Sequence, residues 1–357
     1  MRLKAYAIVA GVLAGTLPSL GEFAIFGICP EHPASQFVGS VDGTVVFWDE
    51  ATVEGTFVYG KDLSTGQIFT VGDGLPNQMR PAVSGDLVAW DSKRDGNWDI
   101  YVTNYRTGQE SPVCLHPAGQ TAAAISGQFV VWQDGRNSPP NVPPDFTNSD
   151  IYGRDMATGQ ELAICKVGGD QLYPQISGDI VVWTDYRAVF PGAAGAPDVY
   201  GYDLASGKEF LIAEHGHGPA ISADLVVWNA GGDIWGKYLS DGAGFPICVA
   251  PNAQGNPDVD GRWVVWAHAV TVPTGTDRDI YGYDLLTGRE FPIYVGPGVQ
   301  DFPRVSADLV VWTSYVPGYP KRMYGAYIPE PASGVLLLLA CLPLLRRRRR
   351  RNGDKSD

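Results

Sequence analysis

Two groups of side chains in this 357-residue chain have the types and spacing for chemistry: carboxylates placed beside arginines, and histidines close together in sequence. Trp132-Gln133-Asp134-Gly135-Arg136 and Trp183-Thr184-Asp185-Tyr186-Arg187 share a Trp-x-Asp-x-Arg pattern, and Asp91 with Arg94 is a looser version. Such a pair could tune a carboxylate for proton transfer. A catalytic acid is singular, however, whereas these are copied along the chain, so the pattern predicts loop-capping ion pairs. The histidines are His32, His116, His215, His217 and His268. Only His215 and His217 are near enough in sequence to share a metal, and no third ligand accompanies them. Gly-x-Ser-x-Gly, His-Glu-x-x-His and phosphate-loop patterns are missing. The cysteines lack the electropositive neighbours of a nucleophile. No catalytic residue, metal or cofactor is assigned from the sequence, and the expectation is a protein that is not an enzyme.

The elements that must hold these residues follow from a repeat. VDGTVVFW ending at Trp48 recurs as related segments ending at Trp90, Trp132, Trp183, Trp228, Trp266 and Trp312. These tryptophans are 42, 42, 51, 45, 38 and 46 residues apart. A period in the forties built of short strands points to propeller blades. Runs such as Leu225-Val226-Val227-Trp228 are β-branched and aromatic and are bounded by Gly and Asp, which reads as buried strand. Each unit contains four strands, in the fourth repeat Tyr173 to Ile176, Ile180 to Asp185, Val199 to Leu204 and Lys208 to Ile212. Tight turns such as Ser177-Gly178-Asp179 use glycine for positive φ.

The predicted fold is therefore all-β: a seven-bladed β-propeller of four-stranded antiparallel blades. Residues 22–28 look like an orphan fourth strand and the seventh unit lacks one, so the N-terminal strand is expected to close the last blade. The SGD-x-VVW, DIYxYDL and TG pattern resembles the TolB-type propeller repeats of bacterial envelope proteins. That resemblance implies a fold rather than an activity.

Both ends carry targeting patterns. Residues 1–21 pair basic Arg2 and Lys4 with an apolar core and a small-x-small site, the plan of a secretory signal peptide. Residues 22–327 form the propeller. Residues 328–357 contain Pro329-Glu330-Pro331, an apolar segment and six arginines from Arg346 and Arg347 to Arg351. This resembles the PEP-CTERM sorting signal, which implies processing by an exosortase. The apolar segment of about 14 residues is short for a span of roughly 20, and its arginines would remain cytoplasmic. The expected location is outside the cytoplasm, in the periplasm, outer membrane or cell surface of a Gram-negative-type bacterium, with membrane attachment through the C-terminal segment before processing.

Removing residues 1–21 and 332–357, with their nine basic and two acidic residues, leaves 17 basic against 37 acidic residues, a charge near −20 that argues against nucleic acid as a partner. Cys29, Cys114, Cys165 and Cys248 share one register after the fourth strand, too far apart for disulfides on adjacent blades, and are expected as free thiols. Long connections at 137–149, 188–197 and 267–278 gather on one face, where recognition usually resides. Asn137, Asn141, Asp145, Phe190, His215, His217 and His268 are its candidate ligand-binding residues, with a glycan or an envelope protein as partner. The expected role is binding or scaffolding at the surface. The alternative, a carbohydrate-active hydrolase or lyase using the channel, requires acids converging there from single blades, and the sequence singles out none.

Overall fold

The computed structural model describes residues 23–138, 148–189, 195–272 and 275–329. Residues 1–21, Asn141, Asp145, Phe190, Glu330, Pro331, Arg346 and Arg347 lie outside the described residues, and Pro329 is the last residue inside them. The compact unit runs Ala24–Ile328 and every regular element in it is a strand. Among the described residues no helix is long and apolar enough to cross a membrane.

Each repeat folds as an antiparallel meander whose second strand carries the apolar run. In the fourth repeat the strands are Gln171–Ser177, Ile180–Asp185, Asp198–Asp203 and Lys208–Ala213. Side chains alternate between the two faces of that second strand, and both faces are covered by neighbouring repeats, so the run is continuous rather than alternating. Trp48, Trp90, Trp132, Trp183, Trp266 and Trp312 are fully buried, and Trp228 nearly so. The apolar clusters join neighbours: Val131 and Ile151 of one repeat pack with Val181 and Trp183 of the next.

The expectation of seven separate blades is corrected. Five four-stranded blades stand alone, and the seven strands of the sixth and seventh repeats join, with one N-terminal strand, in a single eight-stranded sheet. The cause is length: Trp263–Val272 and Gly275–Asp284 run to ten residues each and reach beside Val299–Ser306, where Arg278 pairs in parallel with Val299. The same sheet takes the N-terminal strand Phe26–Gly27, with Phe26 opposite Gly325 and Gly27 opposite Tyr324. First and last repeats also share an apolar cluster containing Ile28, Trp48, Leu309 and Met323.

A circle of hydrogen bonds links the tips of the inner hairpins. The N–H groups of Gly43, Gly85, Gly127, Gly178, Ala223, Gly261 and Ala307 donate to Ser306, Asp42, Ser84, Ser126, Ser177, Ser222 and Asp260 in turn, at 2.7–3.2 Å. Each tip is thus held by the side chain of its neighbour.

Third-strand glycines admit close packing by rings of the fourth strand. A Cβ at Gly201 would stand 2.7 Å from Phe210 Cζ, a fourth-strand ring. The equivalent contact at Gly282 is Phe291 at 2.8 Å.

Candidate functional site

The innermost strand of each repeat lines the channel. Five of these strands carry a proline in mid-strand, Pro81, Pro174, Pro219, Pro257 and Pro303. Pro is tolerated at an edge or a bulge because it cannot donate to the ladder. The pairing duly slips at this point, between Met79 and Ala82 and between Leu172 and Gln175, for example. The residue before the proline has positive φ at Arg80 (55°), Tyr173 (55°), Asn256 (51°) and Phe302 (52°), which turns its neighbours toward the axis.

The bulge amide needs an acceptor, and in four places the residue after the tryptophan of the preceding repeat supplies it. Thr184 accepts from Gly218 at 2.9 Å, and Thr313 from Val38 at 3.0 Å. In the first two repeats this post is held by a carboxylate: Asp49 accepts from Arg80 N–H at 3.3 Å, and Asp91 from Ala122 N–H at 3.0 Å. A threonine suffices for the bond, so the acids exceed the structural need.

The channel cavity is about 480 Å³ and has two unlike walls. One arc, from the sixth, seventh, first and second repeats, presents Asp258, Asp260, Arg304, Asp42, Asp49 and Arg80. The facing arc, from the third to fifth repeats, is uncharged and carries Ala122, Ala124, Tyr173 and Gln175, with Tyr173 58% exposed. Asp258 accepts Val305 N–H at 2.8 Å. Arg80 pairs with buried Asp91 at 2.9 Å, and Arg304 donates to the carbonyls of Gly39 and Pro303. Burial pushes the carboxyls of Asp49, Asp91 and Asp258 up to about 6, against the pull of the nearby guanidiniums. Two of these acids, Asp49 and Asp258, line the cavity and can exchange protons near neutral pH.

The Trp-x-Asp-x-Arg pairs lie elsewhere and are structural. Asp185 accepts the Trp183 indole N–H at 2.8 Å, caps Arg187 N–H at 2.8 Å and pairs with its guanidinium at 2.7 Å. That guanidinium lies 3.8 Å over the Tyr200 ring and reaches Glu209 at 2.6 Å. Arg136 repeats the arrangement with Asp134, Glu161 and Tyr152. Asp91 and Arg94 do not pair: Arg94 binds Glu110 and Asp73 instead. The four described cysteines are buried, and burial pushes each thiol to about 12.

The candidates from the variable loops are not brought to one place. Asn137 is tied to Asp150 and to the Tyr152 hydroxyl. His215 is exposed, with its backbone N–H bonded to Asp198. His217 lines a recess of about 390 Å³ with Asn256 and Arg278, and burial lowers its pKa. His268 lies on the second strand of the sixth repeat, 5.1 Å from the Tyr281 ring. Among the described residues no three His, Cys, Asp or Glu side chains are grouped as a metal site.

No family model matches the sequence, nor does any curated protein sequence. Solved structures do share the fold. An oligogalacturonate lyase from Vibrio parahaemolyticus is similar over 87% of this chain and 95% of its own, with a TM-score of 0.64 and 13% identity. An acylaminoacyl peptidase from Pyrococcus horikoshii matches 85% of this chain with a TM-score of 0.62 and 13% identity, and the chain spans about half (54%) of its length. TolB from Acinetobacter baumannii matches 82% of this chain and 63% of its own at 15% identity, with a TM-score of 0.48. The likeness shows a β-propeller of four-stranded antiparallel blades. It also corrects the expectation that the protein is not an enzyme, because structures sharing the fold over most of this chain include a lyase and a peptidase. Acids converging on the channel, which the sequence did not single out, are present in Asp49 and Asp258.

Proposed function

We propose that the protein is exported and that its channel cleaves glycosidic bonds by general acid–base chemistry. One observation carries this reading: Asp49 and Asp258, both with raised carboxyl pKa values of about 6, line one cavity opposite the exposed Tyr173. A protonated carboxyl delivers its proton to the leaving glycosidic oxygen while an ionised one accepts a proton. With both groups near 6, the state holding one proton between them is most populated near pH 6. The tyrosine ring gives a sugar's C–H face an apolar surface to stack on. The lyase that shares the fold over almost the full length of both chains supports a carbohydrate substrate. Export rests on the basic and apolar residues 1–21 and on Pro329-Glu330-Pro331 with Arg346 to Arg351, which fit delivery by an exosortase to the envelope or surface.

Asp258→Asn keeps an oxygen for the Val305 amide and removes the acid. Assayed against a panel of oligosaccharides, the parent is expected to show an optimum near pH 6 and the variant roughly 100-fold lower kcat/KM. Equal rates in parent and variant, or no cleavage of any glycan, would overturn the reading. Intact mass of the native protein tests the route: loss of both ends, dependent on exosortase activity, is expected, and a full-length product irrespective of exosortase contradicts it.

A further inference from the structure

The hairpin circle contains an internal comparison that bears on what enters the channel. Seven side chains do the same job of holding the next hairpin tip. Five are serines: Ser84, Ser126, Ser177, Ser222 and Ser306. The other two are Asp42 and Asp260, which accept from Gly85 and Ala307 at 2.7 and 2.8 Å. Serine is enough for the tip bond; the carboxylates bring charge, and Asp260 also accepts the Ser222 hydroxyl at 3.2 Å. Both line the channel cavity on its charged arc, where they join Asp49 and Asp258. Among the described residues the cationic side chains lining the cavity are Arg80 and Arg304. Arg80 is committed to Asp91, and Arg304 to two backbone carbonyls. Four carboxyl groups therefore share the cavity with two guanidiniums, one of which is paired with buried Asp91.

We propose that the channel takes glycans of zero or positive charge and rejects sugar acids, with Asp42 and Asp260 as specificity-determining residues at the hairpin end. This rests on the glycosidic reading above and sharpens it. A sugar acid would bring its carboxylate into a cavity that already holds more negative than positive charge, in low-dielectric surroundings where like charges repel strongly. Protonated amino sugars would be drawn in, and N-acetylated ones accepted.

The reaction class follows from the substrate. Elimination at a sugar needs a C–H made acidic by an adjacent carboxylate, which these substrates lack, so cleavage is by water. Water attacks the anomeric carbon and loses its proton to the ionised carboxylate. The bond from that carbon to the glycosidic oxygen breaks, and the oxygen keeps the electron pair and takes the proton from the protonated carboxyl. One water is consumed per bond, and the two carboxyl groups have exchanged protonation states.

The test uses tetrasaccharides of glucosamine, N-acetylglucosamine and galacturonate with the full chain and with the double variant Asp42→Ser/Asp260→Ser, which copies the other five repeats and keeps both hairpin bonds. The parent is expected to cleave the glucosamine and N-acetylglucosamine oligomers with hydrolytic products and to leave galacturonate intact. In the double variant kcat/KM for the glucosamine oligomer falls by roughly three- to tenfold at low salt, an effect that fades as salt is raised, while the N-acetylglucosamine rate stays within about twofold. Circular dichroism and the unchanged neutral-substrate rate separate a charge effect from misfolding. Cleavage of galacturonate in preference to the other two, or an unsaturated product from any of them, overturns this inference and leaves the glycosidic reading standing. Failure to cleave any of the three and the wider glycan panel removes both.

Discussion

Replacing Asp91 by threonine isolates the cost of a carboxylate at a post where other repeats use a hydroxyl. Asp91 is fully buried, lies 2.9 Å from Arg80, and accepts the amides of Ala122 and Ala123. Burial raises its carboxyl from 3.8 to about 6 despite the guanidinium. At 1.36 kcal/mol per pH unit this rise corresponds to about 3 kcal/mol, taken as an upper figure. The folded state holds its proton more tightly than the unfolded one. The contribution to stability is therefore complete below about pH 4, falls as the pH rises toward 6, and is constant above that. Threonine cannot ionise and keeps the amide bond in the manner of Thr184 and Thr313. Urea unfolding followed by tryptophan fluorescence, run on parent and variant at pH 4 and pH 8, reads the difference directly. The variant is expected to gain about 2–3 kcal/mol on the parent between the two pH values. Other raised acids, such as Asp99 and Asp150, titrate in both proteins and cancel. Parallel pH dependence, or a variant that loses ground as the pH rises, refutes the burial argument and shows that Arg80 dominates.

Two further outcomes are expected. Gly201→Val drives two methyl groups into Phe210 and Ile212, which a Cβ alone would already meet at 2.7 and 3.0 Å; the loss should be about 2–4 kcal/mol in the same unfolding assay, and a change under about 0.5 kcal/mol removes the packing account. Cys29, Cys114, Cys165 and Cys248, buried and with thiols pushed to about 12, should resist iodoacetamide in the folded protein at pH 8 and react in urea; peptide mapping that finds any of the four alkylated without denaturant contradicts the assigned burial.

The repeat was legible because its strongest features are local. Seven tryptophans in one register and glycine at the hairpin turns reflect burial and backbone sterics that each repeat must satisfy on its own. The blade count was misjudged where a local rule met a long-range one: nothing in the residues 267–278 announces that both strands continue past the blade and touch Val299. The site was missed for a related reason. Searching for motifs favours what recurs, whereas Asp49, Asp258, Arg80 and Arg304 are departures from the recurring pattern, visible only when the residue after each tryptophan and the two residues flanking each inner-strand proline are compared across repeats. Arg94 shows the opposite error, since its spacing from Asp91 suggested a pair that alternation along the strand rules out. The histidines drew attention by type, yet His217 stands on the innermost strand of the fifth repeat and His268 on the second strand of the sixth.

The pairing of Phe26 with Gly325 has a consequence in time. Two strands separated by about three hundred positions must meet before the last sheet is finished, and closing so large a loop is slow because its entropy is lost before most of its contacts form. Until the final repeat arrives, Ile28, Val38 and Trp48 have no cover from Leu309, Val311 and Met323. A chain emerging from its N-terminus displays that apolar surface until its last repeat is made, an interval in which it is open to association with other chains.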